Sequence, residues 1–249
     1  MGVEKAVNRL MIVTAAFALA FGAGAYHFRN APHAGAYEDE LEVSLCEYID
    51  IDVLRLNVSV IPYDGDRIRI SYTNDLPLII EKGDNSLSIS ESDEFVISIL
   101  AESARFGMTV SLPRDIYREI TVSTGSGSVS LGALDAERIS VSTGSGAVDS
   151  EGTRSLVYLS SGSGDITVDF EAVSPESTVI TRSGNADILL PKGSSVALDF
   201  ETETGACECD LIAGRVVGSY MYSINGGRDL IHATLEQGTL TVSGKGQGR

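Results

Sequence analysis

TGSGSVSL (Thr124 to Leu131), TGSGAVDS (Thr143 to Ser150), SGSGDITV (Ser161 to Val168) and TRSGNADI (Thr181 to Ile188) align without gaps around a glycine. TETGACEC (Thr202 to Cys209) fits more loosely, and LEQGTLTV (Leu235 to Val242) makes a sixth copy. The reference glycines are Gly127, Gly146, Gly164, Gly184, Gly205 and Gly238, at spacings of 19, 18, 20, 21 and 33 residues. The last gap holds a longer excursion, Leu211 to Arg228. Self-similarity at a nearly fixed period is the signature of a solenoid whose repeats stack as rungs.

Columns taken relative to the glycine carry the argument further. Seven residues before it stand Ile120, Ile139, Val157, Ser177, Leu198 and Ile231, and five before stand Val122, Val141, Leu159, Val179, Phe200 and Ala233. Two after stand Val129, Val148, Ile166, Ala186, Cys207 and Leu240, and four after stand Leu131, Ser150, Val168, Ile188, Cys209 and Val242. The intervening positions are mostly polar. This is period-two alternation on both arms of a glycine corner, with the inward parity changing at the bend. The corner needs either a positive φ or the absence of a Cβ. A further column, Thr124, Thr143, Ser161, Thr181 and Thr202, offers hydroxyls that can bond up the stack. A flexible Gly/Ser linker would not hold apolar columns in register, and a phosphate-cradling loop would need a Lys and a following helix that are missing here.

Leu41 to Pro113 is β-rich but less regular. IDIDVLRLNVSVIP, DRIRISY (Asp66 to Tyr72) and SLSIS (Ser86 to Ser90) are predicted strands, with turns at Asp64-Gly65 and Gly83-Asp84-Asn85. The segment is expected to form irregular first rungs or a cap over the open end of the stack. The succession DGDRIRISY, GDNSLSIS, TVSLPRDIYREITVSTGSGSVSL and then repeated SG rungs resembles a bacterial envelope family, the putative-adhesin, strand-repeat domain of unknown function. The likeness covers roughly Ile49 to Val242. It implies a single-stranded β-helix, often behind one membrane span, and carries over no catalytic residues. The fifth copy departs from the pattern with Ala206, Cys207 and Cys209.

The N-terminal stretch Leu10 to Phe28 is apolar apart from Thr14 and His27, and Lys5 and Arg9 precede it. It is about long enough to span a bilayer with the bulk of the chain outside. Leu10 to Phe21 also has signal-peptide length, with Ala23-Gly24-Ala25 as a cleavage pattern, so a secreted form is the alternative. The formal net charge is −17, and −19 once the first 29 residues are set aside. Such a surface repels phosphate backbones, which excludes nucleic acid as a partner.

Few residues invite chemistry. Cys207 and Cys209 are two apart on one strand, about 6.8 Å between Cα atoms, at the limit of disulfide reach. Both fall in core columns, expected over Ile166–Ala186 and Val168–Ile188; a bridge from Cys46 and a metal site are the alternatives. His27, His33 and His232 are the only histidines, and nothing points to a triad on His232. Asp149, Asp187 and Glu208, with Ser130 and Thr167, share an outward column that reads as a solvated face or a weak divalent-cation site.

The reading is an all-β, single-stranded β-solenoid of about six recognisable rungs with an irregular N-terminal cap and one preceding hydrophobic helix. Its divisions are a cytoplasmic N-terminus (1–9), an anchor or signal segment (10–28), a tether (29–40), the irregular β region (41–113), the repeats (114–243) and a tail (244–249). The expected role is a non-catalytic, membrane-anchored scaffold or adhesin-like interaction module, with an envelope protein or polysaccharide as partner. A sensory subunit of an envelope-stress system and, less favoured, a polysaccharide-active enzyme are the other readings. No catalytic, cofactor-binding or metal-ligating residue is assigned, and no cofactor is expected.

Overall fold

The computed structural model describes residues 24–27, 37–74, 78–91, 106–211, 215–227 and 229–245. Every regular element among them is a strand. The N-terminal arm gives β1 (Gly24–His27), β2 (Tyr37–Val43), β3 (Tyr48–Val53), β4 (Asn57–Tyr63), β5 (Ile68–Asn74), β6 (Leu78–Lys82), β7 (Ser86–Glu91) and β8 (Gly107–Pro113). The first four glycine repeats give strand pairs that turn at the glycine: β9 (Tyr117–Thr124) with β10 (Val129–Leu131), β11 (Ala136–Thr143) with β12 (Val148–Thr153), β13 (Leu156–Ser161) with β14 (Ile166–Phe170), and β15 (Ser177–Thr181) with β16 (Ala186–Leu190). The fifth gives β17 (Val196–Thr202) and β18 (Ala206–Cys209). The excursion gives β19 (Arg215–Val217) and β20 (Tyr220–Ile224), and the last repeat gives β21 (Asp229–Leu235) and β22 (Thr239–Gly244).

These strands form two eleven-stranded sheets around one apolar core. The expected columns are present in parallel register. Ile120, Ile139 and Val157 pair in succession, as do Val122, Val141 and Leu159. On the other arm Val129, Val148, Ile166 and Ala186 line up. All are buried, because alternation on each arm turns the same side of every strand inward. Ser150 is the exception in its column. It is buried and its hydroxyl has no hydrogen-bond partner among the described residues.

The order of the stack differs from chain order at both ends. The first sheet runs β1-β6-β7-β3-β9-β11-β13-β15-β21-β17-β20, and the second runs β19-β18-β22-β16-β14-β12-β10-β4-β8-β5-β2. The last repeat is therefore not terminal. β21 and β22 insert between the fourth and fifth repeats, parallel to both neighbours. The chain leaves a slot, reverses through antiparallel β19 and β20, and returns to fill it. The N-terminal arm does the same: β5 and β6 run antiparallel on the outside, and β7 and β8 fill the slot next to β3 and β4. The region 41–113 is thus continuous with the stack rather than a separate lid. Ile49 pairs with Ile120, and Val58 with Val129.

The glycine corner is built from a relay. Gly146 N–H donates to Thr143 Oγ1 (2.9 Å), whose hydroxyl donates to the Gly127 carbonyl one rung away (3.0 Å). Gly164, Ser161 and Gly146 repeat the arrangement (2.8 and 3.0 Å), as do Gly184, Thr181 and Gly164 (3.1 and 3.2 Å). Buried backbone groups at the bend are thereby satisfied without solvent. Of the two reasons for glycine, lack of a Cβ is the operative one at the first five corners, while Gly238 at the sixth also has a positive φ of 112°. A Cβ on Gly146 would lie 1.9 Å from the Gly127 carbonyl oxygen, and Gly146 does not have a positive φ. The opposite corner is tied less regularly: Ala136 N–H donates to Ser155 Oγ (3.2 Å), Val157 N–H to Ser177 Oγ (3.4 Å) and the Ser174 hydroxyl to the Arg154 carbonyl (2.7 Å). Its connections, 132–135, 154–155, 171–176 and 191–195, differ in length and absorb the variation in repeat spacing.

Most of the anchor or signal segment, 10–28, lies outside the described residues, as do 1–9 and 246–249. Gly24–His27 is the part described, and it forms β1, antiparallel to β6. Of the segment read as a tether, 29–40, residues 29–36 lie outside the described residues, and Tyr37 onward forms β2, which pairs with β5. No helix among the described residues is long and apolar enough to cross a membrane.

Candidate functional site

The outward faces of the two sheets are where chemistry could be presented, because inward positions are filled by the core. On the second sheet the outward column reads Thr109, Ser59, Ser130, Asp149, Thr167, Asp187, Thr241 and Glu208 in spatial order. The carboxylates alternate with hydroxyl residues, two strand spacings apart, or about 9–10 Å. A cation held at about 2.3–2.6 Å cannot be shared across that gap. Among the described residues no group of His, Cys, Asp and Glu is arranged to hold a metal. The insertion of β22 separates Glu208 from Asp187, so the compact ladder expected from chain order does not form.

A neighbouring column on the same face makes a second relay. Ser128 N–H donates to Asn57 Oδ1 (2.9 Å), Asn185 N–H to Asp165 Oδ1 (2.7 Å) and Thr239 N–H to Asn185 Oδ1 (3.0 Å). These side chains hold strands together and are thereby unavailable as simple ligands. Beside them Asn57, Ser59, Thr109, Ser128, Ser130 and Asp149, with Gly107 and Ala147, line a shallow groove of about 350 Å³ whose exposed surface is mostly apolar.

The first sheet carries a different groove, of about 290 Å³, lined by Glu119, Arg138, Ser140, Leu156, Tyr158, Glu176 and Thr178 among others. Tyr158 stands exposed where neighbouring strands place Ser140 and Thr178. An aromatic ring flanked by hydroxyls and mixed charges can stack on an apolar ligand face while its rim makes hydrogen bonds. The sequence columns did not single out Tyr158. Its signal is an aromatic residue at a position occupied elsewhere by Thr, Ser and Asp. Nearby, burial followed by the like charges of Asp52 and Glu119 raises the Asp50 carboxyl above its usual range.

His232 lies in an outward column between Thr178 and Asp199. Its Nδ1 is 3.2 Å from Asp199 Oδ2. The Thr178 hydroxyl donates to the Glu176 carbonyl (3.4 Å), so the row is not wired as a nucleophile, base and acid.

The cysteines are core residues. Cys46, Cys207 and Cys209 are all buried and unbridged. Cys46 lies beside β3, six strand spacings from β18, or about 29 Å, so neither C-terminal cysteine is within its reach. Cys207 and Cys209 pair with Leu240 and Val242 of the inserted β22, rather than with Ala186 and Ile188 as chain order implied. Val216 of β19 flanks Cys207 on the other side. Burial, then the proximity of Cys209 and Glu208, pushes the Cys207 thiol up to about 11. The thiolate needed for alkylation or metal binding is scarce at neutral pH. Thiol reagents are expected to label Cys207 slowly in the native protein and quickly in denaturant. Rapid native labelling would contradict the core placement.

A two-sheet, solenoid-like stack with polar faces is the class of protein that this geometry defines. Residues 46–155 match the model of the Toastrack family, DUF4097, and over that stretch the family resemblance read from the sequence is shown. A crystal structure described as "a putative cell adhesion protein" from Clostridium sporogenes shares the fold, with a TM-score of 0.53 at 17% identity over 84% of this chain and 100% of the other. A "putative adhesin" from Bacteroides fragilis is more distant, with a TM-score of 0.37 at 13% identity over 86% of this chain and 98% of the other. No curated protein matches the chain.

Proposed function

We propose that this protein is a non-catalytic interaction module of the bacterial envelope, held at the outer side of a membrane by the apolar N-terminal segment, read as 10–28, whose residues Gly24–His27 join the first sheet as β1. The observation that carries the reading is the pair of eleven-stranded sheets, whose outward columns repeat small polar residues in register along the stack. Ten strand spacings make a rigid face about 48 Å long. Such a face suits an extended partner that offers a repeated chemistry of its own, and the Tyr158 groove supplies an aromatic contact within it. The acidic surface disfavours anionic partners.

The topology is tested by adding protease to wall-stripped, intact cells. The expected result is digestion of the domain down to a membrane-retained N-terminal remnant. Full protection would refute an external domain. A soluble domain beginning near Tyr26 would indicate cleavage and release instead of anchoring.

A further inference from the structure

We propose that the free end of the first sheet pairs with the same end of a second copy of this chain, β20 against β20, antiparallel about a two-fold axis at Met221. Among the described residues β20 is the last strand of its sheet and is bonded on one side only, to β17. An edge strand carries a row of backbone donors and acceptors that template pairing unless charge, proline or a covering element guards them. The two ends of the stack differ in this respect. At the N-terminal end the second sheet closes on β2, with four carboxylates in its seven residues (Glu38, Asp39, Glu40 and Glu42), and the first sheet closes on β1, a strand of only four residues. At the other end, the ten residues from Arg215 to Ile224 carry a single charge, Arg215, in a chain of net charge −17. Two copies of so acidic a protein repel each other least where they approach through this end.

The side chains there are apolar and open. Tyr220 is 52% exposed and Met221 is 64% exposed. The Tyr220 ring stacks on Tyr222 at 4.7 Å between centroids. Tyr220 and Tyr222 stand opposite Phe200 and Leu198, on the core side of the sheet, where they close the end of the stack.

What selects a second copy as occupant is the order of residues. Ser219-Tyr220-Met221-Tyr222-Ser223 reads the same in both directions. Antiparallel pairing centred on Met221 sets Tyr220 opposite Tyr222 of the partner subunit, methionine opposite methionine and serine opposite serine. Four tyrosines then form one layer between the two cores, in the cross-strand contacts that aromatic residues favour. The arrangement is isologous, so it closes at a dimer rather than growing into a fibre. A single strand pair is a small interface, and the association is of the weak, concentration-dependent kind.

The test uses the full chain. Sedimentation velocity across a concentration series is expected to show a monomer–dimer equilibrium. Met221→Glu, which places two like charges at the axis, is expected to leave only monomer with an unchanged melting temperature. Met221→Cys provides a second reading, because residues directly opposite in an antiparallel pair have Cα atoms about 4.5–5.5 Å apart, within disulfide reach. Mild oxidation is expected to give a covalent dimer for Met221→Cys and none for Tyr158→Cys, an exposed position away from the edge. A wild-type chain that stays monomeric throughout, a dimer that survives Met221→Glu, or equal cross-linking at both positions would overturn the proposal.

Discussion

Truncation after Arg228 is expected to unfold the C-terminal half of the domain, not to shorten the stack by one repeat. In a solenoid stacked in chain order, the last repeat would be a terminal rung and its loss mild. Here β21 and β22 lie between the fourth and fifth repeats, and their removal leaves β17 and β18 with no parallel neighbour. Ile231, Leu235, Leu240 and Val242 are fully buried. At roughly 1.5–3 kcal/mol for each buried aliphatic side chain, their loss costs on the order of 8 kcal/mol. That is comparable with the whole stability of a typical domain, about 5–15 kcal/mol. Circular dichroism melts of the truncated and full chains would measure the difference. A truncated chain melting within a few degrees of the full one would contradict the inserted topology.

Val141→Asp is expected to unfold the domain, whereas Ser142→Asp is expected to be tolerated. Val141 is fully buried between Val122 and Leu159, while Ser142 is exposed between Ser123 and Ser160. An unpaired carboxylate in the Val141 position costs several kcal/mol, with no basic group in the column to offset it. Equal melting temperatures for the two variants would show that the register is wrong.

The difference between these two expectations marks how far the sequence could be read. Which residues face inward was legible, because the glycine corner fixes the register of both arms in every repeat. Which repeat stacks on which was not. Ile231 is as good a neighbour for Ser177 as Leu198 would be, since an aliphatic column carries no label of rank. Only the reversal through β19 and β20 decides it, and that excursion shows no periodicity of its own. The candidate surfaces follow the same division. Cys207 and Cys209 were legible as core residues, but their actual neighbours, Leu240, Val242 and Val216, were not. The acidic column looked like a ladder in chain order and is interrupted by Thr241 in space. The apolar end of the first sheet lay in the part of the sequence with no repeat to align.

The two corners of each turn place opposite limits on how such a chain can diverge. At the glycine corner, hydroxyl, amide and carbonyl succeed one another at contact distance, so a residue added or lost there would break the relay in the rungs on both sides. At the other corner the connections already range from the two residues 154–155 to the six residues 171–176, with a bulge in β12 beside the shortest, and β13 and β15 beyond them still pair in register. Loops of this kind accept new lengths at little cost. Inherited insertions, and any epitope or reporter placed by hand, therefore belong along one flank of the molecule, and new binding specificity can accumulate there while the opposite flank keeps the fold.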